Sequence, residues 1–409
     1  MKLLHAADLH IDSPLRGLSR YEGAPAEDLR LAPRRALDNL VRLALETPVD
    51  AVLLAGDVYD GEWNDYQTGL YFGRQMARLG EAGIPVFMVS GNHDAKNRTM
   101  RHLKPPKNLH VFRTDVPDTL TEEGIGLVVH GQGFARWDLS ENLAASYPAR
   151  RGGLFNVGLL HTALDGRRDH ARYAPCTVTD LEARGYDYWA LGHVHSREIV
   201  RSEPWIVYPG NIQGRHARET GPKGCTIVTV DDDLKVQSVE PHVLDVTRWE
   251  HLTVDLTGVD DTDQALSLAQ QEFQRLPDDK LVAVRVTFTG RTSAHAALWR
   301  ERDQMRNELR AAANYQPNVW LEKVKYETAH EDLTDADRAG LLADLRRTLK
   351  SLGSETGGLG RKLERHPVFG AIPDEIKGAH GIAPSDPQWL ERTAEEAYQL
   401  VESLLQEAR

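Results

Sequence analysis

The apolar residues of this chain fall into short blocks, and several of those blocks run straight into residues that can bind a metal. Residues 2–7 read as a first strand followed by Asp8-Leu9-His10. Ala51–Ala55 is a continuous apolar run rather than an alternating one, the pattern of a parallel strand covered on both faces, and it ends in Gly56-Asp57-Val58-Tyr59-Asp60. Residues 85–89 run into Ser90-Gly91-Asn92-His93-Asp94, residues 157–160 into His161, and residues 188–191 into Gly192-His193-Val194-His195. Helical spacing of Leu37, Leu40, Val41 and Leu45 predicts a helix over 34–46, closed by Pro48, and a second helix is expected near 66–80. Residues 109–112 and 125–129 are further strand candidates. Trp205–Tyr208 and residues 225–230 read as strands of a second sheet, on either side of Pro209-Gly210-Asn211 and a basic loop carrying Arg215, Arg218 and Lys223.

The pattern changes near residue 245. Leu252, Val254 and Leu256 alternate, as do Val282, Val284, Val286 and Phe288, and a third strand is expected over 319–326. Helices predicted at 262–275 and 294–312 complete a small β-α-β-α-β module. The expected division is therefore 1–245, 246–328 and a helical region over 329–409. Residues 353–360 are rich in glycine, as linkers are. Leu390, Ala394, Ala397, Val401, Leu404 and Leu405 share one helical face, which either packs on its own domain or docks a partner.

Composition narrows the classes. The 409 residues carry 41% apolar and 27% charged side chains, ordinary for a globular protein, and no run reaches the roughly 18 apolar residues of a membrane span. The N-terminal residues lack the basic-then-apolar layout of a secretory signal, so a cytoplasmic setting is expected. Cys176 and Cys225 are the only cysteines, too few and too far apart for a disulfide framework or a thiolate metal site. A formal net charge of -12 argues against nucleic-acid binding by the whole surface, so local loops or metal ions must attract any polyanionic substrate.

Ligand types at five strand ends give that expectation its chemistry. Functional groups of α/β sheets gather beyond the carboxyl ends of the strands, so Asp8, His10, Asp57, Asn92, His161, His193 and His195 are expected to converge there. Carboxylate, imidazole and amide donors suit manganese, iron or zinc better than calcium. The set is large enough for two ions bridged by Asp57, one with Asp8, His10 and His195, the other with Asn92, His161 and His193. Two such ions can activate water and neutralise phosphate oxygens. His93, next to Asn92 but not required as a ligand, fits a proton donor to a leaving alkoxide, with Asp60 as the carboxylate that orients it. Residues 95–107, with Lys96, Arg98, Arg101 and Lys104, read either as a solvated loop or as a contact to backbone phosphates. Arg215 and Arg218 join them as candidate phosphate contacts.

Taken in order, Asp8-x-His10, Gly56-Asp57-x-x-Asp60, Gly91-Asn92-His93-Asp94, His161 and Gly192-His193-x-His195 resemble the signature of the calcineurin-like metallophosphoesterases. That resemblance, over residues 1 to about 230, implies an α/β (α+β) fold: a four-layer β-sandwich flanked by helices, with the dinuclear site at the strand ends. Asp8-Leu9-His10-Ile11-Asp12-Ser13-Pro14 and Tyr208-Pro209-Gly210-Asn211 are similar to the DNA-repair nuclease branch, the SbcD-like and above all the YhaO-like proteins. Such a resemblance implies a nuclease domain, a capping domain that binds DNA, and a helical tail. It further implies manganese-dependent exonuclease and endonuclease cleavage of DNA in repair and recombination, a partner coiled-coil ATPase of the structural-maintenance type, and a homodimer. Ile11-Asp12-Ser13 stands where SbcD proteins carry Leu-Gly, a departure that bears on the DNA entrance. A nucleotide phosphodiesterase or phosphatase, or a scaffold that chiefly binds DNA and an ATPase, are the competing readings.

Overall fold

A computed structural model describes residues 1–15, 23–60, 66–96, 104–164 and 173–330, and scattered residues between 340 and 397. Arg98, Arg101, the glycine-rich 353–360 segment and most of the terminal amphipathic stretch lie outside the described residues, as does the side chain of Lys96. The chain forms two compact units, Met1–Gly290 with Ala297–Thr328, and Arg291–Ala296 with Ala329–Arg409. No helix of the described residues is long and apolar enough to cross a membrane.

Two six-stranded sheets build most of the first unit. Lys2–Ala6 (β1), Ala51–Ala55 (β2), Val86–Val89 (β3) and Leu109–Val111 (β4) run parallel, with Leu4 opposite Val52 and Val52 opposite Val86. The second sheet contains Asp118–Glu122 (β5), Leu127–Gly131 (β6), Phe155–His161 (β7), Tyr188–Gly192 (β8), Glu198–Ser202 (β9) and Trp205–Tyr208 (β10) in the order β5-β6-β7-β8-β10-β9. Gly224–Val230 (β11), expected in the second sheet, instead pairs antiparallel with β1, placing Ile227 opposite Leu4, and Val236–Val243 (β12) closes that edge of the first sheet. The expected convergence on a single parallel sheet is corrected in the same way: three of the strand-end clusters leave the first sheet and two leave the second.

Alternation within the strands explains the layering. Val52 and Leu54 of β2 point to one side, where they pack with Leu37, Leu40, Phe72 and Met76 of the helices Ala26–Glu46 (α1) and Gln67–Glu81 (α2). Ala51, Leu53 and Ala55 point to the other side and meet Phe155, Val157, Leu159 and Tyr188 of the opposing sheet. The outer face of that sheet, through Leu160, Trp189 and Leu191, is covered by Leu143, Ala144 and Leu181 of short helical turns, the last on Val178–Glu182 (α3). The result is four layers: helix, sheet, sheet, helix. Helix α1 begins eight residues before the predicted start and carries Pro33 inside it, with the proline ring among the buried residues of its packed face.

Beyond residue 245, Thr247–Asp255 (β13), Leu281–Arg291 (β14) and Val319–Ala329 (β15) make a three-stranded sheet in which β13 and β14 are parallel. Thr262–Phe273 (α4) crosses between the first two strands. The single helix expected over 294–312 is two, His295–Arg300 (α5) and Arg302–Asn314 (α6), broken at Glu301. Within the second unit, the Thr292 amide donates to Ala329 O at 2.9 Å, and the Phe369 ring stands edge-on to Trp389.

His5 joins the two sheets across the core. Its Nε2–H donates to Leu191 O at 3.1 Å, while Nδ1 accepts from the Tyr188 hydroxyl at 2.9 Å. Burial holds the imidazole neutral and lowers its pKa to about 3, even though the bond to Leu191 favours the proton. Because the folded pKa lies below the usual 6.5, this contribution to stability is complete above pH 6.5 and is lost as the pH falls toward 3. At pH 5 the expected loss is about 2 kcal/mol. Urea titrations between pH 7 and pH 5 should therefore show a smaller drop in stability for His5→Gln than for the natural chain; equal drops would remove His5 from the account.

Candidate metal centre

Three loops that leave the first sheet run side by side. The Asp8 amide donates to Gly56 O, His10 N–H to Asp57 O and Ile11 N–H to Val58 O, each at 3.0 Å. On an extended strand, which brings residues i and i+2 to one side, Asp8 and His10 would face one way. The backbone is not extended there. Asp8, His10 and Asp57 have φ of 52, 45 and 51°, and His193 has φ of 105°. These left-handed turns, easier for Asp and His than for most residues with a side chain, swing the functional groups inward.

Asp94 ties the neighbouring loops together. Its carboxylate accepts from Gly91 N–H and Tyr59 N–H, both at 2.9 Å, and from Val58 N–H at 3.3 Å. Burial and the nearby Asp57 push its pKa up to about 7 against the pull of those amides. Asp57 in turn accepts from His93 N–H at 2.8 Å. A Cβ at Gly91 would stand 2.3 Å from Asp57 Oδ1, so only glycine leaves this carboxylate its place.

The second sheet delivers its imidazoles to the same point. His161, the last residue of β7, donates Nδ1–H to Ala55 O of β2 at 2.9 Å. Its lone pair is therefore on Nε2, which faces Asn92 Oδ1 at 3.1 Å and Asp57 Oδ2 at 3.5 Å. His195 donates Nδ1–H to Glu219 Oε1 at 2.7 Å, which puts its lone pair on Nε2, 3.3 Å from His10 Nε2 and 3.8 Å from Asp8 Oδ1. His10 Nε2 lies 4.0 Å from Asp57 Oδ2. Burial, with Arg215 and the neighbouring imidazoles, holds the His10 pKa well below its usual value, so its ring is neutral. Asp8 is buried too, which raises its pKa, while His195 and His161 pull the other way. His193 gives its amide N–H to the Asp8 carboxylate at 2.9 Å, and its ring stands edge-on to His161 with centroids 5.2 Å apart.

This arrangement fits divalent cations. The ligand atoms of Asp8, His10 and His195 lie within 4.8 Å of one another, as do those of Asp8, Asp57 and His161. Donors about 2 Å from a shared ion stand roughly 3–4 Å apart, so the spacing matches. Lone pairs facing lone pairs in a buried setting repel unless a positive charge lies between them.

At the rim, His93 Nδ1 is 2.7 Å from Asp60 Oδ1. Asp60 also accepts from Ser13 Oγ at 2.6 Å and lies 3.5 Å from Arg215 Nη1. Burial raises its pKa, but His93, Ser13 and Arg215 outweigh that and lower it to about 2, so it is a carboxylate. Of the six candidate phosphate contacts, Lys104 and Arg218 are exposed. Arg215 is turned inward, 12% exposed, against Asp60 and Glu219. Sequence reasoning includes Asp94 and Ser13 in its motifs without giving either a role, and leaves Glu219 out altogether. Asp94 belongs to a cluster already singled out, whereas Glu219 lies on a loop, where its pairing with Arg215 leaves no periodic signal.

Comparison with known proteins agrees with this geometry. The profile of the calcineurin-like phosphoesterase family matches residues 1–197, and that of the metallophosphoesterase YhaO middle domain matches residues 249–329. Over 382 residues the chain is 32% identical to the uncharacterized metallophosphoesterase YhaO of Bacillus subtilis, covering 90% of this chain and 91% of that protein. The chain belongs to the calcineurin-like metallophosphoesterase family. This metallophosphoesterase is also 23% identical over 275 residues to the DNA double-strand break repair protein Mre11 of Sulfurisphaera tokodaii, over 63% of this chain and 66% of that one.

A metallophosphoesterase centre built this way should be stabilised by its ions. At a free Mn2+ concentration 100 times the dissociation constant, linkage gives about 2.7 kcal/mol. For a chain of this size that is a rise in melting temperature of roughly 2–4 °C over the chelator-treated protein. Asp57→Asn, which alters a ligand of one group that also lies 4.0 Å from His10 of the other, should abolish the rise. An undiminished rise in that variant would place the ions elsewhere.

Proposed function

We propose that this metallophosphoesterase is a manganese-dependent DNA nuclease, cutting phosphodiester bonds with its centre loaded by two ions. The carrying observation is the cluster of ligand-capable atoms on Asp8, His10, Asp57, Asn92, His161 and His195, packed within a few ångströms of one another, with the His93–Asp60 pair at the rim. Divalent ions supply a reactive water at neutral pH and neutralise phosphate oxygens. The chain's own part is to place them and to manage the proton. Asp57 would serve both ions, His193 would complete the set around His161, and Asn92 would contribute an oxygen that adds no net charge to the site. Asp60 fixes the His93 ring through Nδ1, so Nε2 is the atom that gives a proton to the leaving oxygen.

DNA as substrate is supported by the similarity to a protein named for double-strand break repair, and by exposed Lys104 and Arg218, which suit backbone phosphates. Within this reading the residues beyond 330 dock a coiled-coil ATPase, and the working form is a homodimer in the cytoplasm. The net charge of -12 favours a second reading, a phosphodiesterase or phosphatase for small nucleotides, which needs no extended basic surface.

Labelled linear DNA should be cut by the purified chain with Mn2+ and left intact with chelator. His93→Ala should lower kcat by about 10^2- to 10^4-fold, the usual worth of a positioned acid, while leaving Mn2+ affinity unchanged. Asn92→Ala should weaken Mn2+ binding. Turnover of a nucleotide-sized diester or a phosphomonoester, with DNA untouched, would overturn the nuclease reading in favour of the small-substrate one.

A further inference from the structure

Glu219 is buried, 6% exposed, on the loop between β10 and β11, and every oxygen lone pair it presents is directed at the centre or at the loop itself. Oε1 accepts from His195 Nδ1 at 2.7 Å and from Arg215 Nη2 at 3.2 Å. Oε2 accepts from Asn211 Nδ2 at 3.0 Å and from the Arg215 amide at 2.7 Å. Four bonds fix the plane of this carboxylate. The His195 side chain is 25% exposed, so packing alone does not set its ring, and the bond to Glu219 both chooses the tautomer and aims Nε2 at Asp8 and His10. Arg215 extends the arrangement. Its other amino group lies 3.5 Å from Asp60 Oδ2, while Asp60 Oδ1 holds His93. A single guanidinium thus touches two carboxylates, each of which holds one imidazole of the site.

We propose that Glu219 is a positioning residue for His195, and that Arg215 binds Glu219 and Asp60 into one unit that sets His195 and His93 together. The assignment rests on the two-ion reading above. It also gives Arg215 a role inside the centre rather than on the DNA.

Isothermal titration of the metal-free full chain with MnCl2 tests it. The natural chain should bind two ions. Glu219→Gln keeps the shape and loses the charge, and should weaken one ion by about 10- to 100-fold, as loss of an outer partner of a metal-binding histidine does, leaving the other ion unchanged. The melting temperature of the metal-free variant should match that of the natural chain. Arg215→Lys keeps a cation but loses the fork, and should weaken the same ion by less. Natural affinity at both ions in Glu219→Gln would overturn the assignment. So would a joint loss of both ions with a lowered melting temperature, which marks a role in folding only. If the natural chain binds fewer than two ions, the two-ion reading falls and this assignment with it.

Discussion

At one edge of the sandwich the two sheets touch through bare backbone. Packed sheets usually stand about 10 Å apart with side chains between them. Here a Cβ on Gly192 of β8 would lie 1.9 Å from Ala55 O of β2, so no side chain can intervene. The same carbonyl accepts from His161, and His5 spans the sheets one layer deeper. Ligands from two sheets can share one centre only because this edge is closed. Were the sheets held at ordinary spacing, Asp57 and His161 would face each other across a side-chain layer instead of standing 3.5 Å apart.

Closure creates an electrostatic problem that the surrounding groups divide between them. Two carboxylates and several imidazoles crowd their ligand-capable atoms into one largely buried space, a costly arrangement without cations. Partners on the far side of three of the rings keep them in place: Ala55 O for His161, Glu219 for His195, Asp60 for His93. Amide donors stabilise the charge on Asp8 and Asp57 from outside, through His193 and His93. The chain is acidic as a whole, and this centre is where it is built to accept positive charge.

Much of this was legible in the residues. Ala51–Ala55 and Trp205–Tyr208 are strands with the bounds their apolar runs suggest, because burial on both faces leaves no polar residue to blur the ends. Strands β9 and β12 gave no such signal. They are half-exposed edges whose apolar positions are interrupted by charge, and their pairing comes from the neighbouring strand rather than from their own pattern. The clusters that meet could be read from their place at strand ends. How they meet could not, since neither the left-handed turns nor the division over two sheets leaves a periodic trace. Glu219 was hidden for a related reason: it comes from a loop, and its link to His195 crosses 24 residues.

The left-handed turns at Asp8, His10 and Asp57 carry a consequence for how this protein can change. Each position keeps a side chain where glycine or asparagine would sit with less strain, at roughly 1–3 kcal/mol apiece. A screen for heat resistance run on the metal-free chain would find gains at these three places early, and each such gain would weaken the centre and forfeit the stabilisation its ions supply. Thermostability and phosphoesterase chemistry therefore pull against each other at identifiable codons, and a library meant to harden this enzyme should hold those codons constant.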